Sequence, residues 1–153
     1  MGGKIFAVLF SGIFVIVGLG VTGFGFKQMA AAKRSLDWHT TQGTIISSEM
    51  GTHSDSDSGT TYSADVMYDY HVDGELLSGG RVRFGQVSTS NPGDARRILN
   101  RYKKGIPVTV YYDPADPYES VLEPGMSNSI WFLPAFGLVF ALFGGFFMTG
   151  VLL

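Results

Sequence analysis

Two long segments at opposite ends of the chain carry no charged side chain. They are Ile5–Phe26 and Ile130–Leu153, and both are mostly apolar. As a helix, the first would extend about 33 Å, which is enough to cross a hydrocarbon core of about 30 Å. All 13 acidic residues, and every basic residue except Lys4, lie between Lys27 and Glu123. The sequence therefore predicts two membrane-spanning helices, 5–26 and 130–153, flanking one polar domain over residues 36–125.

A cleaved signal peptide is the alternative interpretation of the first segment. Lys4 would supply its basic start, and Ala30-Ala31-Ala32 resembles a cleavage site. The apolar core of a signal peptide is usually about 7–15 residues long. Because Ile5–Phe26 is longer than that, the pattern favours an uncleaved anchor.

Small residues recur at helical spacing within both apolar segments. Such residues let two helix backbones approach closely in lipid. This pattern indicates either a helical hairpin within one chain or a seam between two copies, although glycine is also common in membrane helices. The candidate helix-packing residues are Ser11, Gly18, Thr22, Gly25, Gly137, Ala141 and Gly144.

The basic residues nearest the first span suggest an orientation. Lys27, Lys33 and Arg34 follow the span, whereas only Lys4 and the amino terminus precede it. Cytoplasmic flanks carry the excess of Lys and Arg. We expect an integral plasma (inner) membrane protein whose central domain faces the cytoplasm.

Strand patterns dominate the central domain. Residues 62–72 alternate strictly between apolar and polar side chains, and Asp73-Gly74 favours a type I′ hairpin turn. One helix is predicted after these strands, capped by Ser90 or Asn91 and ended by Gly105. The order β-β-β-α-β-β makes an α+β, mainly antiparallel domain. The remaining predicted strands are Trp38–Glu49, Glu75–Phe84, Ile106–Tyr112 and Tyr118–Leu122.

The predicted hairpin requires a choice of register. An unbroken two-residue turn would place Arg81 and Arg83 on the apolar face with Val66. Burying two unpaired arginines costs several kcal/mol each, and glycine permits a bulge. We therefore predict a β-bulge at Gly79 or Gly80, with Val82 turned inward and Arg83 near Asp65.

The polar segment Met50–Thr61 is predicted to be a solvated hairpin loop because of its turn-forming composition. Asp55 and Asp57 have the spacing of a calcium loop. However, the segment lacks the glycine at position six and the glutamate at position twelve.

The composition argues against several kinds of functional site. The chain has no cysteine, a net charge of −2 and a pI of about 5.8, which argue against thiolate sites and a charge-driven nucleic-acid binder. His39, His53 and His71 lack metal-ligand spacing. The row Asp65, Asp69, Asp73 could bind a cation or a basic partner, or could be a solvated face opposite the arginines. No catalytic signature and no cofactor is predicted.

The predicted helix carries a basic face that could touch anionic lipid or simply face solvent. Its charged residues are Arg96, Arg97, Arg101, Lys103 and Lys104.

Several short motifs resemble the domain-of-unknown-function family 3592, small bacterial membrane proteins. The resemblance covers about Trp38 to Gly125 and implies a membrane helix at each end, but no activity. The motifs are Trp38-x4-Gly43, Tyr68-x-Tyr70-x-Val72-Asp73-Gly74, Tyr102-x2-Gly105-x2-Val108-x-Val110-Tyr111-Tyr112-Asp113-Pro114-x-Asp116-Pro117 and Leu122-Glu123-Pro124-Gly125.

The Asp-Pro repeat in the third motif predicts a turn. Asp113 and Asp116 each precede a proline, Pro114 and Pro117, and this arrangement favours turn initiation. The alternative is a catalytic acid pair, which a proline-locked turn would leave without a cleft.

These observations predict a non-catalytic membrane protein that presents a β-rich domain for protein interaction, as an accessory or assembly component of the bacterial envelope. The lipid bilayer and a protein partner, or a second copy bound through the helices, are the expected partners. An immunity-type or regulatory protein that captures one partner, and an enzyme using Asp113 and Asp116, remain alternatives.

Overall fold

The computed structural model describes residues 2–55 and 59–152, which form two compact units. One unit comprises the terminal segments, up to Ala31 and from Asn128; the other is the central domain, Ala32–Ser127. The fold is α+β with a mainly antiparallel sheet, as predicted. Its elements are α1 (Gly2–Arg34), β1 (His39–Asp55), β2 (Gly59–Val72), β3 (Glu75–Gly79), β4 (Arg83–Phe84), α2 (Pro92–Arg101), β5 (Pro107–Asp113), β6 (Asp116–Val121), β7 (Glu123–Met126) and α3 (Phe132–Leu152).

The terminal unit consists of α1 and α3, with a short 3-10 turn (Asn128–Trp131) before α3. Both helices are long and apolar enough to cross a membrane. α1 continues past Phe26 to Arg34, because the alanine- and lysine-containing segment that follows has high helix propensity. Pro134 lies in the first turn of α3, where a missing N–H breaks no helical hydrogen bond.

The main sheet of the central domain has the strand order β3-β2-β1-β5-β6. β1 is shared between its neighbours, since Gly43 pairs with Tyr70 of β2 and with Val108 of β5. A second, two-stranded sheet pairs β4 with β7 in parallel. The sequence does not predict this small sheet, because its strands are two and four residues long and about 40 residues apart.

The main sheet curls until its edge strands lie side by side. β3 and β6 run parallel but share no backbone ladder, and Tyr118 Oη donates to Glu75 Oε1 at 3.0 Å. α2 contributes Ala95 and Ile98 to the core inside the curl. The central domain is therefore a partly open barrel of five strands, with one face of α2 packed inside the curl. A barrel of this kind does not define a function by itself.

The hairpin between β2 and β3 has the predicted turn. Asp73 (φ 51°) and Gly74 (φ 86°) both adopt positive φ, as a type I′ turn requires. The ladder runs without interruption from Val72↔Glu75 to Tyr68↔Gly79 and then ends.

The predicted bulge at Gly79 or Gly80 is therefore wrong. A Cβ on Gly79 would lie 2.5 Å from Ser120 Oγ and from the Tyr68 ring. Glycine at this position therefore leaves space for these two side chains inside the barrel. The chain leaves β2 after this point. Val82 still reaches the core, because the departing segment turns it inward.

The predicted loop Met50–Thr61 is also wrong over most of its length. β1 continues to Asp55 and β2 starts at Gly59, forming a polar two-stranded ribbon. Backbone pairing does not need apolar side chains, so a polar segment can form a pair of strands. Asp57, which belongs to the calcium-loop interpretation, lies outside the described residues.

α2 begins where predicted and ends early. Asn91 is its N-cap, since Asn91 Oδ1 accepts a hydrogen bond from Gly93 N at 2.9 Å. The helix stops at Arg101, so Lys103 and Lys104 lie in the following turn and not on the helix face.

Candidate functional site

The helix pair of the terminal unit packs through its smallest residues. A Cβ on Gly18 would lie 2.5 Å from Ala141 N and 2.7 Å from Gly137 O, and a Cβ on Gly137 would lie 2.6 Å from Thr22 N. Real side chains do not approach backbone so closely. Glycine at these positions is therefore what allows α1 and α3 to touch within one chain.

The other predicted helix-packing residues lie along the same contact. Gly25 faces Pro134, and Gly144 faces Phe14 and the carbonyl of Ser11. The hydroxyls of Ser11 and Thr22 donate to carbonyls one turn back, Ala7 O at 2.8 Å and Gly18 O at 2.7 Å. Neither polar side chain is left without a partner, as a helix in hydrocarbon requires.

The opposite faces of both helices are apolar and uncovered. In the most apolar 18-residue stretch of each helix, only 11% of the α1 stretch and 22% of the α3 stretch is buried. A core helix of a soluble protein would be mostly buried. The exposed side chains include Phe6, Phe10, Ile13, Ile16, Leu19, Phe24, Val139, Leu142 and Phe146.

The interior of the barrel is organised by the two tyrosines of the Tyr-x-Tyr motif. Tyr68 Oη donates to Arg81 O at 3.1 Å and lies 3.1 Å from Ser120 Oγ, and Tyr70 Oη donates to Pro117 O at 2.7 Å. Burial raises the pKa of Tyr68 to about 12 and also raises the pKa of Tyr70. Side-chain hydrogen bonds thus join β2 to β6 where no ladder does.

A second polar cluster centres on Glu123 in the Leu-Glu-Pro-Gly motif. Its carboxylate accepts from Arg101 Nη1 at 2.8 Å and from Tyr102 Oη at 2.9 Å, and Arg83 Nε lies 3.6 Å away. Burial, followed by the bond to Glu123, raises the pKa of Tyr102 to about 12. Glu123 therefore ties the end of α2 to the small sheet.

The arginines do not face the aspartates of β2 as predicted. Arg81 pairs with Glu119 at 2.8 Å, and Arg83 lies near Glu123 and not near Asp65. The reason is the departure of the chain from β2 after Gly79, which carries both arginines toward β6 and β7.

Ser35 links the first and last segments of the central domain, and no sequence prediction included it. Its side chain is fully buried, donates to Ala32 O at 2.7 Å and accepts from Gly125 N at 2.9 Å. Gly125 has φ +94°, which favours glycine. No local sequence pattern identifies Ser35, because its partner is 90 residues away.

The Asp-Pro turn uses both of its carboxylates on the backbone. Asp113 Oδ1 accepts from Ala115 N at 2.9 Å, and Asp116 Oδ1 accepts from Tyr118 N at 3.3 Å. These are Asx-turn contacts. The two aspartates stabilise the β5–β6 hairpin through these backbone hydrogen bonds.

The remaining candidates lie apart on the surface. His39, His53 and His71 are exposed in different parts of the sheet, and Asp69 Oδ1 accepts from Ser78 Oγ at 2.6 Å. Within 2–55 and 59–152, no group of three or more metal-ligand side chains comes together. On α2, Arg97 pairs with Asp94, and Arg101 pairs with Glu123.

The comparison with protein families identifies the central domain. The family described as a domain of unknown function, DUF3592, matches residues 41–127. The match covers more than half of the chain, so the chain belongs to this family, as its motifs indicate. No curated protein matches it.

Proposed function

We propose that this DUF3592 protein is an integral inner-membrane protein. Its two apolar helices cross the bilayer as a hairpin, and its barrel domain is a non-catalytic interaction module on the cytoplasmic side. We further propose an accessory or assembly role in the bacterial envelope, with the bilayer and a protein as its partners.

The proposal that the helices cross a bilayer rests on one observation. α1 and α3 contact each other along glycines while their phenylalanine and leucine side chains remain exposed. Exposing so much apolar surface to water is costly, at roughly 25 cal/mol per Å². In lipid it costs nothing, and close packing of small residues is what holds helices together there.

The architecture of the domain supports interaction over catalysis. The aspartates of the Asp-Pro turn bond to the backbone, and Glu123 bonds to Arg101 and Tyr102. The buried tyrosines hold the barrel together. The polar groups that the motifs supply therefore have structural partners already.

Cysteine labelling tests the topology, because the native chain has no cysteine. Ser88 and Lys104 are exposed in the central domain. We expect Ser88→Cys and Lys104→Cys to resist a membrane-impermeant maleimide in intact cells and to react after permeabilisation. Gly2→Cys is the matched control and should react in intact cells, since two spans place both termini opposite the domain.

Two results would contradict parts of the proposal separately. Labelling of Ser88→Cys in intact cells, with Gly2→Cys protected, would reverse the orientation but keep two spans. Identical behaviour of all three variants would overturn the two-span topology.

A further inference from the structure

The ribbon formed by β1 and β2 leaves one strand edge open. On the outer side of β2, Tyr62 and Thr89 exchange two backbone hydrogen bonds of 2.8 and 3.0 Å, and Gln86 Nε2 donates to Ala64 O at 3.1 Å. On the outer side of β1, the last backbone bonds are those of Ile45 to Gly105 and Ile106. In the part of the chain that the structure describes, no backbone bond reaches that edge between residues 47 and 55.

The direction of the free backbone groups follows from the ladder. In an antiparallel pair, successive residues point their N–H and C=O alternately toward and away from the partner strand. Tyr62 points away from β1, so its partner Thr52 points away from β2. The same parity directs the backbone groups of Ser48, Met50 and Ser54 outward.

This edge has little of the usual protection. Natural proteins block open edges with charged side chains, especially lysine, and with proline, bulges or a covering segment. Residues 47–55 contain neither lysine nor proline, their charged residues are Glu49 and Asp55, and the bulge beside Ile45 precedes them. An open edge of this kind is a template for adding another strand.

We propose that the 47–55 edge of β1 pairs antiparallel with the same edge of a second copy, about a two-fold axis at Gly51. This register uses the whole open edge, since residue 47 then faces residue 55. It brings together the residues whose backbone groups point outward, Ser48 with Ser54 and Met50 with Thr52. It also sets Glu49 of each copy opposite His53 of the other.

Charge separates this register from the one shifted toward the tip of the ribbon. Moving the axis by one residue to Thr52 would place Glu49 opposite Asp55, a like-charge pair that destabilises a sheet. Within one chain, Glu49 already lies directly opposite Asp65. A histidine from a second copy would therefore face a carboxylate-rich surface. The pairing involves only the central domain, so it does not depend on the helices crossing a membrane.

Disulfide formation between copies tests the register in the full-length protein. Glu49→Cys and His53→Cys together place two cysteine pairs across the proposed axis, at positions with the short Cα separation of non-hydrogen-bonded pairs. We expect mild oxidation to give a reducible dimer at least tenfold faster for the double variant than for either single variant. The matched control, Thr61→Cys with Asp65→Cys on the covered strand β2, should behave like the single variants.

Proline at the edge supplies a second readout. Thr52→Pro in the double-cysteine background removes an outward N–H while leaving the bonds to β2, so it should abolish the cross-link, whereas Thr52→Ala should retain it. Absence of a dimer from the double variant would overturn the proposal and leave the edge to a strand of another protein. Equal dimer from the single variants, or an unchanged cross-link in Thr52→Pro, would also overturn it.

Discussion

Tyr68 is fully buried inside the barrel, and its hydroxyl links strands that no ladder connects. Its pKa is raised from 10.0 to about 12 by burial, so the folded protein holds this proton more tightly than the unfolded chain does. The stability that this difference provides is complete below pH 10. It is lost as the pH rises from about 10 to about 12, because the unfolded state then releases the proton first.

We therefore predict that the free energy of unfolding falls above pH 10, with Tyr68 contributing on the order of 2 kcal/mol. Tyr68→Phe should lose about 1 kcal/mol at neutral pH, the value of a typical hydrogen bond, and should make the alkaline decline shallower. Part of the decline should remain, because the pKa of Tyr102 is also raised to about 12. Urea unfolding of the full chain in detergent, followed through Trp38 in a Trp131→Phe background, measures both. A decline of unchanged steepness in Tyr68→Phe would contradict the assignment.

Single residues also show where local patterns stop being informative. Asp73 and Gly74 predict their own turn, because the positive φ values are a local requirement. Ser35 has no such signal, and neither does the choice of Glu123 as the partner of Arg101. The local pattern predicts a bulge at Gly79 or Gly80, whereas the contact with Ser120 that explains Gly79 lies far along the chain.

At the scale of the elements, the contact between α1 and α3 depends on which glycine faces inward. A Cβ on Gly18 meets the backbone of α3, whereas a Cβ on Gly20, in the same helix, meets nothing within 4 Å. We predict that Gly18→Leu separates the helices at a cost of about 1–3 kcal/mol or more, and that Gly20→Leu does not.

Cross-linking measures this separation directly. The rings of Phe14 and Phe140 stack across the contact with centroids 5.7 Å apart, so Phe14→Cys with Phe140→Cys, bridged by a short bifunctional maleimide, reports on it. The cross-link should form readily in the Gly20→Leu background and at least tenfold more slowly in the Gly18→Leu background. Equal rates in the two backgrounds would show that the glycine contact does not hold the helices together.

Alternation of apolar and polar residues predicts some of the strands but not others. Alternation over residues 62–72 fixes both the strand and its buried face, which includes Val66, Tyr68 and Tyr70. It cannot show that β1 and β2 continue as a polar ribbon, since a strand exposed on both faces has no apolar period. Nor can it show the parallel pairing of β4 with β7, which depends on the fold as a whole.

At the scale of the whole molecule, the absence of charge at both ends of the chain predicts two apolar helices, and the structure contains them. The closure of the barrel by tyrosine side chains could not be predicted, because it depends on how strongly the sheet curls. We propose that the helices lie in a bilayer and that the barrel domain lies outside it.

The two tryptophans of the chain test this claim in vesicles that contain brominated lipid, which quenches fluorescence on contact. Trp131 is 59% exposed and lies directly before α3, whereas Trp38 is buried in the domain with its ring 5.9 Å from that of Phe84. We predict strong quenching in Trp38→Phe, which leaves Trp131, and none in Trp131→Phe, which leaves Trp38. Equal quenching of both variants, or of neither, would contradict a bilayer-spanning hairpin that carries the domain in water.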